Sequence, residues 1–129
     1  MVLKSERDRL DRLAEVITVD CYDAPECLTS FVVCFDEVLE VDSTARLFGL
    51  ELEVLEVTSE GQAERGLAAR CRLATGETGT VSLVDLAFAP STEAAWYHAG
   101  YRWWLGLEPF AYRVPEGWAL PEWLDSRGS

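Results

Sequence analysis

Apolar residues recur along this chain with two different periods, and the change from one to the other marks out its elements. Leu10, Leu13, Ala14 and Ile17 fall at helical spacing in residues 1–18, a short polar helix in which Arg7 and Asp11, and Asp8 and Arg12, can pair across one turn. A stronger helical stripe follows, made of Leu28, Phe31, Val32, Phe35 and Leu39. Asp23 precedes it as N-cap, Pro25 sits in the first turn, and Glu26 lies three residues after Asp23, the spacing of a capping box.

The period then falls to two. Residues 45–58, ARLFGLELEVLEVT, alternate as one strand with Glu51 and Glu53 outward, and the phase slips by one at Leu55, as a β-bulge requires. Residues 67–74 alternate again, with Arg70 and Arg72 outward and able to face Glu51, Glu53 or Glu56 across an antiparallel pair. TGETG is a hairpin loop, GTVSLV (79–84) a returning strand, and Asp85-Leu86 the start of a single helical turn. Ser91 is the expected N-cap of a last helix, which runs through AAWYHAGYRWWLG and ends near Gly106. Helices, then a small bent antiparallel sheet or SH3-like half-barrel, then an aromatic helix, make an α+β fold. Residues 1–110 read as a single compact domain. Residues 111–129, with Pro115, Pro121, Trp118 and Trp123, read as an extended tail.

Charge sharpens this picture. The 129 residues are 49% hydrophobic, enough for one real core, and carry 23 acids against 11 bases, a net charge of −12. That balance excludes non-specific binding to nucleic acid or to anionic membranes, which needs Lys and Arg. It suits a metal cation or a basic protein partner. From Leu13 to Glu64 thirteen acids face one base, Arg46. Asp36, Glu37 and Glu40 fall in or just past the last turn of the second helix, and Asp42 follows. The helix dipole disfavours negative charge there by a few tenths of a kcal/mol each. Asp20 and Asp23 form a smaller acidic cluster at its other end.

Carboxylates in such clusters are the ligands calcium takes, although no EF-hand loop is present. Asp36 and Glu40 share a helix face, and Glu37 and Asp42 can join from the side. Cys21, Cys27, Cys34 and Cys71 lack C-x-x-C spacing. Cys27 and Cys34, seven apart, share a helix face and are expected as buried thiols. The charged start MVLKSERDRLDRL lacks a signal peptide's apolar run, which makes a reduced, cytoplasmic protein the expectation. His98, the only histidine, sits among aromatics and reads as structural. No phosphate loop, dinucleotide fingerprint or nucleophile elbow is present, so an enzyme is not expected. The surplus of Trp offers an alternative to metal binding: an acidic interaction adaptor, with Trp118 and Trp123 as partner-binding residues.

Three segments, ITVDCYDAPECLTSFVVCFDEVL (17–39), the strands GLELEVLEV and TVSLVDLAF, and AGYRWWLGLEPF (99–110), give the chain a further reading. In order and spacing it resembles the small acidic bacterial calcium-binding proteins typified by the cyanobacterial calcium-binding protein (CcbP-like). The resemblance spans about residues 13–110 and implies a helix-plus-barrel fold with Ca²⁺ held by surface carboxylates. Asp20, Asp36 and Glu37 stand where that family is also acidic. The chain departs from it at Val41-Asp42-Ser43, where the family has an apolar Pro-Phe-like segment. It departs again at Gly100, where the family tends to carry an acid.

Overall fold

A computed structural model describes residues 4–19, 21–40, 43–58, 66–89 and 92–110. Helix α1 spans Lys4–Ile17 and helix α2 Ala24–Leu39. The strands are β1 (Thr44–Leu47), β2 (Leu50–Thr58), β3 (Ala68–Arg72), β4 (Thr78–Ser82) and β5 (Ala87–Phe88), and helix α3 is Glu93–Trp104. The strands form one antiparallel sheet in the order β4-β3-β2-β1-β5. The architecture is α+β: three helices and an open five-stranded sheet.

The capping box at α2 forms almost as its spacing predicts. Asp23 Oδ1 accepts from the Glu26 N–H at 3.0 Å. The Glu26 carboxylate reaches back one residue further than the usual partner, accepting from the Tyr22 N–H at 3.0 Å. Phe31 and Phe35 are fully buried, and Val38 joins them, a core residue outside the stripe read from the sequence. The α1 stripe of Leu10, Leu13, Ala14 and Ile17 is buried as expected. Asp11 has a longer-range partner than its own helix supplies: Trp103 donates Nε1–H to Asp11 Oδ1 at 2.6 Å, joining α1 to α3.

Three expectations for the middle of the chain are corrected. Residues 45–58 are two strands, because the chain reverses at Phe48-Gly49 and pairs Leu47 with Leu50. Both turn residues have positive φ, 50° for Phe48 and 82° for Gly49. That is the backbone of a two-residue hairpin, and Phe at its first position hides the usual Asn-Gly signal. Leu50 is consequently 55% exposed at the hairpin end, while Leu52 and Val54 of the same phase are buried. The strand β5 escaped the periodicity altogether, since two residues carry no alternation; it pairs Phe88 with Ala45. The α3 cap is Thr92, whose Oγ1 accepts from the Ala95 N–H at 3.3 Å; Ser91 lies outside the described residues.

The bulge falls where the phase slips, between Val54 and Glu56. It keeps Glu53 and Glu56 on the outer face, where Arg72 Nη2 meets Glu53 Oε1 at 2.7 Å and Arg70 Nε meets Glu56 Oε1 at 3.2 Å. These pairs are about half exposed, so each is worth at most about 1 kcal/mol. The inner face, with Leu52, Val54, Val57, Ala69 and Cys71, is roofed by the helices. A 3₁₀ turn, Leu83–Asp85, leads into β5. At the end of α3, Gly106 (φ 85°) donates to Trp103 O and Leu107 to Arg102 O, a Schellman closure.

Tyr101 ties these layers together. It is fully buried, with its ring 5.1 Å from Phe31 edge-on and 6.4 Å from Trp104 stacked, and its hydroxyl accepts the Leu67 N–H at 2.6 Å. Gly66 precedes that contact with φ 82°, and a Cβ there would run into the Tyr101 hydroxyl. Gly66→Ala is therefore expected to cost about 3 kcal/mol, from backbone strain together with a displaced buried hydrogen bond. Gly76→Ala, at φ 94° but facing open space, should cost only about 1 kcal/mol. Urea unfolding of the two variants checks this, and equal losses would refute the role given to the Tyr101 hydroxyl.

Candidate functional site

The carboxylates singled out by the sequence separate into two groups. Asp23 and Glu40 stand at opposite ends of α2, about 25 Å apart at helical rise. Asp23 is occupied as the N-cap, with Oδ1 satisfying the Glu26 N–H. Its role within the described residues is to start the helix. Asp20 lies outside them, as do Asp42, Trp118 and Trp123.

Asp36, Glu37 and Glu40 are all exposed at the other end of α2, whose last turn contains no basic residue. Asp36 and Glu40, four apart, project from the same side. The charge of Glu37 acts on two half-buried groups, one on its own helix and one on α3. The Cys34 thiol is pushed up in pKa by burial and then by Glu37. The Tyr97 phenol is pushed up by burial, then by Cys34, Glu93 and Glu37. The ring pairs Phe31–Trp104 and Phe35–Tyr97 show that α3 runs antiparallel to α2, so the first turn of α3, with Glu93, lies toward the C-terminal end of α2. Only the antiparallel packing of α2 and α3 brings it there, and no spacing in the sequence could have revealed it.

These oxygens are of the kind calcium prefers, hard and solvent-accessible, but few. Among the described residues no group of three or more His, Cys, Asp or Glu side chains is arranged to hold a metal ion. Three exposed carboxylates on one helix end are fewer than the six to eight oxygens calcium takes. The strand acids do not add to them. Glu53 and Glu56 are answered by Arg72 and Arg70, and Glu51 stands opposite Arg46 in the register.

The thiols also differ from expectation. Cys71 is buried, but Cys27 and Cys34 are partly exposed, because the face they share lies to one side of the Phe31–Phe35 stripe. Burial drives the Cys71 thiol up to about 11.

His98 is structural, 4% exposed, with its ring 5.4 Å from Phe88 and Nε2 2.8 Å from the Leu83 carbonyl oxygen. A carbonyl can only accept, so Nε2 carries the hydrogen of a neutral ring. Burial lowers the His98 pKa to about 4, against an upward pull from the Leu83 bond, and Arg102 adds a further lowering.

No protein-family model matches the sequence, and no curated protein matches it either. Among solved structures the chain is similar to the crystal structure of Anabaena CcbP, with a TM-score of 0.61 and 17% identity, over 82% of this chain and 97% of that one. The class defined here is the CcbP-like fold. At that identity the likeness is one of fold. No described helix is long and apolar enough to cross a membrane.

His98 generates a pH prediction. Between its unfolded value near 6.5 and its folded value of about 4, the unfolded chain takes up a proton that the folded chain refuses. Its stabilising contribution is therefore complete above about pH 6.5 and falls away toward pH 4, by up to about 3 kcal/mol. Unfolding free energies measured between about pH 7 and about pH 5 should fall less in His98→Gln than in the parent. Parallel pH profiles would refute the assignment.

Proposed function

We propose that this chain is a non-catalytic, cytoplasmic calcium-binding protein, a low-affinity buffer or sensor, whose ion sits at the C-terminal end of α2. The observation that carries the reading is the exposed acidic last turn, with Asp36, Glu37 and Glu40 set against the helix dipole and no base among them. The CcbP-like fold adds to it, since the family that the sequence resembles is one of calcium-binding proteins. Asp36 and Glu40 would supply the first oxygens from one face, Glu37 would join from beside them, and Asp42 follows closely in sequence. Calcium accepts this arrangement because it tolerates irregular geometry and completes six to eight ligands with water. Magnesium demands a tighter octahedron and gains less from it. With so few protein ligands, the dissociation constant should fall on the order of 10⁻⁵–10⁻³ M.

Calcium at about ten times that constant should stabilise the fold by about 1.4 kcal/mol, visible as a raised melting temperature, with magnesium giving less. Asp36→Asn with Glu40→Gln should abolish the calcium shift. The same pair should stabilise the ion-free protein by a few tenths of a kcal/mol per charge, because like-charge repulsion and the dipole conflict both disappear. A calcium shift that survives in the double variant, or no shift at millimolar calcium, overturns the reading.

A further inference from the structure

Cys21 and Cys27 flank the capping box of α2, one in the connection that precedes the helix and one just past its first turn. The connection is fixed at Cys21 by its N–H, which donates to Thr18 O at 3.0 Å, and the helix start is fixed by Asp23 and Glu26. The Cys21 sulfur lies 3.3 Å from Ser30 Oγ. Ser30 is one turn beyond Cys27 on the same helix face, so Cys21 lies against that face. That face also carries Cys27, and Cys21 is among the neighbours that raise the pKa of its thiol. All three side chains are partly exposed, within reach of a small reagent. The other thiols are placed elsewhere: Cys34 is beside Glu37 and Tyr97, and Cys71 is buried in the sheet with its thiol 3.7 Å from Ala69 O.

We propose that Cys21 and Cys27 are a reversible dithiol–disulfide pair, closed by exchange with a low-molecular-weight disulfide and strapping the start of α2 to the segment before it. Cys21 loses its proton to solvent and attacks one sulfur of the reagent disulfide. The reagent's S–S bond breaks, one reagent thiol leaves with a proton, and Cys21 is held as a mixed disulfide. Cys27 then loses its proton and attacks the Cys21 sulfur, expelling the second reagent thiol. Two protein thiols are oxidised and one reagent disulfide is reduced to two thiols, with no further oxidant.

The order of attack follows from the surroundings of Cys27. Burial, the neighbouring Cys21 thiol and the charges of Asp23 and Glu26 push its pKa up to about 11. Cys27 therefore keeps its proton while Cys21 attacks. Once Cys21 is in the mixed disulfide its negative charge is gone, and that obstacle to ionising Cys27 goes with it. The Ser30 hydroxyl beside the Cys21 sulfur can donate to it while it is charged.

The test is exposure of the full chain to oxidised glutathione, followed by intact-mass and thiol measurement. The parent should lose the mass of two hydrogens and two of its four alkylatable thiols, and regain both on addition of dithiothreitol. Glu26 lies between the two cysteines, so cleavage after it by a Glu-specific protease should leave two peptides joined by a disulfide, and fragmentation of the second, which holds both Cys27 and Cys34, should place the bond on Cys27. Cys27→Ser should stop at a stable glutathione adduct on Cys21, and Cys34→Ser should close as the parent does. Unchanged far-ultraviolet circular dichroism would show that each variant is folded. Four persistent thiols in the parent, an adduct that never closes, or a link through Cys34 would overturn the assignment.

Discussion

A single hydrogen bond, from the Leu67 N–H to the Tyr101 hydroxyl, joins the helical layer to the sheet at the point where β3 begins. Everything around it has been shaped to let it form. Gly66 leaves the space a side chain would fill, and the left-handed backbone there turns the chain into the strand. Phe31 and Trp104 hold the Tyr101 ring on two sides, so the hydroxyl reaches the strand from a fixed platform. A buried tyrosine needs a partner for its hydroxyl, and a strand entrance has an N–H to offer. The bond answers both needs at once. It fixes α3 against the sheet, while the ring pair of Tyr101 with Phe31 sets α3 against α2.

That dependence explains which parts of the fold the sequence discloses. Local rules are printed locally: the Asp23–Glu26 cap, the stripes of α1 and α2, the bulge at Leu55 and the Arg70 and Arg72 partners all rest on spacings of a few residues. The turn at Phe48-Gly49 was hidden because Phe rarely adopts positive φ, so the alternation appears to run straight through it. The strand β5 was hidden because its two residues are defined by pairing with β1 rather than by any pattern of their own. The same contrast holds for the candidate site. Asp36, Glu37 and Glu40 are visible as acids on the wrong end of a helix. The approach of Glu93 depends on how helices pack and has no trace in sequence spacing, whereas the partial exposure of Cys27 and Cys34 follows from their place beside the Phe31–Phe35 stripe.

The distribution of charge matters more than its total. A net charge of −12 suggests a diffuse negative field, yet the outer face of the sheet is internally balanced. Glu53 and Glu56 are neutralised where they stand, and Arg46 is set opposite Glu51. At the end of α2, by contrast, Asp36, Glu37 and Glu40 share a last turn that holds no base. Balance on the sheet therefore concentrates what remains, and a cation held there as proposed would gain from a local field that salt screens within about 10 Å.

The extra residue at the bulge also governs how the strands can move against one another. A uniform antiparallel pair can slide by two residues and keep every side chain on its proper face. With one residue too many between Val54 and Glu56, β2 changes phase partway along, and the two halves match β3 in only one alignment. A slip by two would set the extra residue against a different part of β3 and turn the side chains between the old and new positions to the wrong face. The irregularity thus acts as a detent: it costs a ladder bond and in return leaves the sheet a single register in which to come to rest.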